Sequence, residues 1–155
     1  MQENSDTREI YLDCFLKIYP WEIKTNNVKR GTNIFVKIQL GNIILYSRKV
    51  SLAGRIKEIH KGEKFTDILL EAKEDVVPLR LWPEKQRLLD VKNIEENSFL
   101  KAFGTLREDR DGNIYVSVLA LSRIPENHIE SFYTSVEEDR RFFERFLKNN
   151  NTGVS

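Results

Sequence analysis

The sequence predicts an all-β fold with flanking helices, and three observations carry that prediction. Five short runs of alternating apolar and polar residues, each bounded by turn signals, succeed one another between Arg48 and Ile124. A proline-led helical segment, from Pro83 through Leu88 and Leu89, falls between the third and fourth runs. A helical pattern then closes the chain after Pro125. Strand spacing alone suits several small barrels. The helix between strands three and four favours the OB-fold, a partly open five-stranded Greek-key barrel.

The elements follow in order. Residues 1–32 form an N-terminal arm. Its first nine residues are polar, while Leu12, Phe15, Leu16 and Tyr19 share helical spacing up to Pro20. A short helix and an extended arm both fit. Residues 33–125 form the OB-fold domain with an entry hairpin. In that hairpin a strand ends at Leu40, Gly41-Asn42 turns, and Ile43 starts the return. Arg48 to Ile59 is the first barrel strand, with Val50, Leu52 and Ile56 facing inward and Gly54 at a bend. Phe65 to Lys73 is the second and Val77 to Trp82 the third. Ser98 to Leu106 is the fourth, its inner row Leu100, Ala102, Gly104 and Leu106. The run Asp109 to Asn113 is a hairpin turn leading to the fifth strand, Ile114 to Ile124. Residues 126–148 form a C-terminal helix. Ser135 and Glu138 have capping-box spacing, with acids early and Arg145 and Lys148 late. Residues 149–155 are expected to be disordered.

Net charge is +1, but its distribution is uneven. Residues 24–64 hold ten Lys and Arg against Glu58 and Glu63, a local +8. Such asymmetry is the footprint of an anion-binding face. It is also what an ordinary solvated surface shows. The single Cys14 allows no internal disulfide and no cysteine cluster for zinc. There is no 18-residue apolar run, so no membrane span is expected, and no signal-peptide pattern.

Gly41 to Ile56, read Gly-Asn-Ile-Ile-Leu-Tyr-Ser-Arg-Lys-Val-Ser-Leu-Ala-Gly-Arg-Ile, resembles the entry to the OB-fold of the medium subunit of the telomeric CST complex. It is equally similar to that of the middle subunit of replication protein A. Leu79 to Trp82 and Leu100 to Arg107 resemble that fold's third and fourth strands, and Asn127 to Glu130 its exit. Two departures stand out. Ala72 to Val76 replaces the usual Asp-x-Thr/Ser-Gly turn, and the winged-helix region that normally follows does not occur in this sequence. The sequence is therefore expected to be a fragment or a reduced version. The resemblance implies a nuclear, non-enzymatic subunit that binds single-stranded telomeric DNA and caps chromosome ends. It also implies a heterodimer with a smaller OB-fold partner, met through the C-terminal helix at Val136, Phe142, Phe143, Phe146 and Leu147.

Single strands are held by basic grooves carrying aromatic platforms. The candidates here are Arg55, Lys57, Lys61, Lys64, Phe65, Arg80 and Trp82. Trp82 reads equally as a platform or as core. Phe99 and Phe103 fit packing under the arm or terminal helix better than base stacking. His60 and His128 are isolated, and Asp109, Asp111 and Asn113 lack the glycine and glutamate positions of a calcium loop. No cofactor, metal or catalytic constellation is expected. Two other readings stay open: a scaffold OB-fold that binds only protein, and a general replication or repair subunit.

Overall fold

The computed structural model describes residues 7–23 and 27–153. Of the nine polar residues at the start, 1–6 lie outside them, as do residues 24–26, with Lys24 of the basic stretch, and the last two residues of the expected tail; Arg8 and Glu9 belong to a strand. In chain order the elements are β1 (Arg8–Tyr11), β2 (Leu16–Lys17), β3 (Val28–Lys29), β4 (Phe35–Leu40), β5 (Ile43–Ser47), β6 (Lys49–Lys61), β7 (Thr66–Ala72) and β8 (Asp75–Leu81). Then come α1 (Leu88–Val91), β9 (Phe99–Glu108), β10 (Ile114–Ile124) and α2 (His128–Gly153). Short 3-10 turns occupy Pro20–Glu22 and Pro83–Lys85.

The barrel closes through five strands. β6 pairs antiparallel with β7 and with β9, β7 with β8, and β9 with β10. The parallel β8–β10 pair, Leu79 opposite Val116, completes the ring. The alternation works as the sequence predicts. Val50, Leu52, Ile56, Ile68, Leu70, Leu79, Leu81, Leu100 and Val116 are sealed from solvent. β6 is long because it serves two partners. Lys49–Arg55 pairs with β9, and Arg55–Lys61 pairs with β7. Gly54 lies at that exchange. A Cβ there would sit 2.6 Å from the Glu71 carbonyl oxygen and 3.1 Å from Leu70 Cγ. The bend assigned to Gly54 is thus a close backbone approach. The register shift on β6 comes later, between Ile56 and Glu58.

The arm is extended. β1 runs parallel to β5, and β2 parallel to β6, with Leu16 opposite Val50. The Ile18 amide donates to the Ser51 carbonyl at 2.9 Å, and both Leu16 and Ile18 enter the main core. β1, β5, β4 and β3, in that order, form a separate sheet.

α2 departs from the expected helix in three ways. It begins at His128, so Ser135 is not a cap; its hydroxyl donates to the Phe132 carbonyl one turn back at 2.6 Å. The helix also runs to Gly153, past the expected end at Lys148. Finally, Val136, one of the five residues assigned to a partner, is fully buried against Ala53 and Phe132 of its own chain.

Arm and helix are tied together. Arg140 donates to both Glu22 carboxylate oxygens, at 2.7 and 2.6 Å. Tyr19 hydrogen-bonds Glu137, and burial first, then that bond, push its phenol up to about 12. A raised phenol stabilises the fold in full below its unfolded value of about 10, and that contribution is lost as pH rises toward 12. Urea midpoints measured from pH 9 to 12 will fall less steeply for Tyr19→Phe than for the wild type. Gly54→Ala will lower stability by about 2 kcal/mol, because the Glu71 backbone must yield; urea unfolding reads this directly.

Candidate nucleic-acid interface

The outward faces of β7, β8 and β10 bring three of the seven candidate residues together. Register sets Asp67 opposite Arg80, and Arg80 opposite Ser117. Arg80 donates from Nε to Asp67 Oδ1 at 2.9 Å and from Nη2 to Oδ2 at 3.2 Å. This forked pair fixes the guanidinium plane. The Asp67 hydrogen bond holds Arg80 above its ordinary pKa, so the charge is permanent.

Aromatic rings surround that fixed cation. Its guanidinium carbon lies 3.7 Å from the Phe65 ring centre, 4.1 Å from Tyr115 and 5.8 Å from Trp82. Phe65 meets Trp82 edge-on at 5.5 Å. Trp82 Nε1 donates to Ser117 Oγ at 3.1 Å. Trp82 is half-buried beside Arg80 and is not among the residues of the main core.

Two loops frame the cluster. Residues 62–65 join β6 to β7 and carry Lys64 and Phe65, with the Gly62 amide bonded to the Phe65 carbonyl at 3.0 Å. Residues 109–113 join β9 to β10. Asp109 there accepts from the Asp111 and Asn113 amides, each at 2.9 Å. The Asn113 bond, with lesser help from Asp111, holds its carboxyl below the usual range.

The other candidates lie elsewhere. Arg55 pairs with Glu71 and donates to Asn97 Oδ1 at 2.7 Å, at the α2 end of β7. Four residues of strand separate Glu71 from Asp67, roughly 13 Å. Lys57 is exposed at the β6 register shift. Lys61 lies opposite Thr66 and borders a groove with Gln86, Arg87 and Asp90, away from the aromatic rings. Asp67, Tyr115 and Ser117 were missed. Asp67 was recoverable: the Lys73-Glu74 turn fixes its register with Arg80. The contribution of β10 depends on barrel closure, which leaves no local signal.

Phe103 packs edge-on against Phe15 of the arm at 5.5 Å, and Phe99 borders a groove with Ile129 of α2. Phe103 therefore packs under the arm as expected. On α2, Phe143 and Leu147 are partly buried against the main core, whereas Phe142 and Phe146 stack outward, 5.7 Å apart. Among the described residues no group of three or more His, Cys, Asp or Glu is placed to hold a metal. No described helix is long and apolar enough to cross a membrane.

An uncharacterized 18.7 kDa protein in a ribosomal RNA operon of Thermofilum pendens is 38% identical over 154 residues, covering 99% of this chain and 90% of that protein. The chain belongs to that protein's family. No family model matches it. Among solved structures, the S. pombe Stn1–Ten1 complex contains a chain with TM-score 0.56 at 12% identity, over 68% of this chain and 79% of that one. A replication protein A heterotrimer bound to single-stranded DNA gives 0.52 at 12% identity, over 68% and 84%. These likenesses establish the OB-fold, in agreement with the resemblance read from the strand motifs.

The Asp67–Arg80 pair is mostly buried, with side-chain exposures of 18% and 13%. Asp67→Ala will cost about 2 kcal/mol by leaving the guanidinium unsatisfied. The double variant Asp67→Ala/Arg80→Ala will cost less than the sum of the two single changes, as a double-mutant cycle in urea will measure.

Proposed function

We propose that this chain is a non-enzymatic OB-fold subunit that binds single-stranded DNA on the Phe65–Arg80–Trp82–Tyr115 face. The observation that carries the reading is the fixed guanidinium among three rings, framed by the loops at 62–65 and 109–113. OB-folds bind oligonucleotides on the face of their second and third strands and on the two loops beside it. Bases stack on Phe65 and Trp82, each contributing about 1–3 kcal/mol, while Lys64 meets phosphates; Tyr115, only 7% exposed, and the forked Arg80 hold that platform in place. Arg55, Lys57 and Lys61 lie outside that cluster and take no part in this reading.

The narrower reading is a telomere-capping protein in the nucleus, paired with a small OB-fold protein. The fold likeness to the Stn1–Ten1 complex supports it, as does the outward Phe142–Phe146 stack. The interface on α2 then reduces to those two rings, since Val136, Phe143 and Leu147 pack within this chain. The likeness to replication protein A supports the general replication or repair reading to the same extent.

Fluorescence anisotropy with G-rich telomeric, scrambled and duplex DNA, and with the scrambled sequence as RNA, distinguishes these readings. Tight binding to all single strands but not to duplex favours the general role, and a strong preference for the G-rich strand favours the telomeric one. Preference for RNA would transfer the site to transcripts, the setting suggested by the relative's ribosomal RNA operon. Trp82→Ala and Phe65→Ala are each expected to weaken single-strand binding about tenfold. No binding at low salt would overturn the nucleic-acid reading and leave the protein-only scaffold. Phe142→Glu/Phe146→Glu is expected to abolish co-purification of the small OB-fold partner while leaving the fold intact.

A further inference from the structure

We infer that the outward face of the arm sheet is a second contact for single-stranded nucleic acid, with Tyr11 as a stacking ring and Lys29 and Lys37 as phosphate contacts. The inference rests on the single-strand reading of the barrel face and extends the strand's path beyond it.

Register builds this face. Tyr11 lies opposite Tyr46, Tyr46 opposite Lys37, and Phe35 opposite Lys29. The alternate residues Ile10, Val36, Ile38 and Leu45 point the other way, into the main core. The sheet therefore already has its main buried side; on the outer side Tyr46 is covered, at 4% exposure, and Tyr11 is the ring that stays open. Tyr11 stacks on Tyr46 at 4.7 Å and 20°, and meets Phe35 edge-on at 5.2 Å. Lys29 Nζ lies 5.0 Å from both tyrosine ring centres and hydrogen-bonds the Tyr11 hydroxyl. Tyr11 is still 49% exposed. A ring held rigid by its neighbours yet open to solvent loses little freedom when a base stacks on it.

Charge selects the occupant. Lys29 and Lys37 are both exposed on this face. Glu9 is the acid beside them, and it accepts from the Tyr46 hydroxyl at 3.1 Å. Flat rings interleaved with cations suit a chain of bases and phosphates better than an apolar peptide. The two faces also adjoin the same hairpin. Arg30, next to Lys29, pairs with Glu108 at the end of β9, while Arg107 lies opposite Tyr115 of the barrel cluster. The end of the β9–β10 hairpin thus touches the arm through Glu108 and the barrel cluster through Arg107.

Oligo-dT of 6, 12 and 24 nucleotides, titrated by anisotropy against the full chain, tests this. Tyr11→Ala is expected to weaken the 24-mer about tenfold and leave the 6-mer unchanged. Lys29→Gln/Lys37→Gln, a pair of exposed substitutions that spare the rings, should lower the salt slope for the 24-mer by about 1.4 and leave that of the 6-mer alone. Trp82→Ala should weaken every length. Arm variants that bind all lengths like the wild type, or that weaken the 6-mer as much as the 24-mer, overturn the arm contact while the barrel reading stands. If Trp82→Ala is silent and the arm variants still weaken the 24-mer, the barrel reading fails and the arm contact survives. Failure to bind any length overturns both.

Discussion

One strand serving two partners is the constraint on which the rest of the molecule depends. β6 must leave β9 and take up β7 within a residue of Gly54. The Glu71 backbone then comes so near that no side chain fits. Gly104 meets the same condition across the barrel, where a Cβ would sit 2.4 Å from the Ser117 carbonyl. These two approaches let five strands curl into a closed ring. Closure in turn sets β10 beside β8, and that neighbourhood places Ser117 and Tyr115 against Arg80. The candidate site is therefore a product of the closure, although its rings lie on the outside.

The acids of this protein do as much as its bases to shape its surface. The basic stretch reads as one face in sequence, but folding disperses it. Arg30 finds Glu108, Lys49 finds Asp13, and Arg55 finds Glu71. All three acids lie outside the stretch, Asp13 upstream and the other two downstream. Exposed pairs of this kind add little stability, but they cancel much of the local field. Arg80 is different, because its partner fixes the guanidinium plane without removing it from the surrounding rings.

The barrel was legible because its strands alternate strictly and its helix interrupts them at a diagnostic point. Leu79, Leu81, Leu100 and Leu106 could be placed inside from period alone. Phe65, Arg80 and Trp82 could be grouped because they lie in or directly beside two adjoining strands. Lys61 falls elsewhere because it ends β6 opposite Thr66, which is buried, and not opposite the outward Asp67. The helix was harder. Ser135 and Glu138 have capping spacing, yet the helix starts seven residues earlier, where Asn127 and Glu130 share that same spacing. An aromatic-rich helix also gives no sign of which stripe its own chain will cover. Val136, Phe143 and Leu147 turned inward because the arm and barrel supply apolar surface there, and both lie far from them in sequence.

The lengths of the outermost strands carry a consequence of their own. The arm sheet ends in β1 and β3, four and two residues long, and the barrel sheet's added strand β2 has two. Arg8, Glu9, Lys17 and Lys29 put charge on those three strands. A row of unpaired amides that short, and that charged, is a poor template for another chain. The ten described strands are thus carried with little free edge, which leaves a second copy of the chain little backbone to pair with.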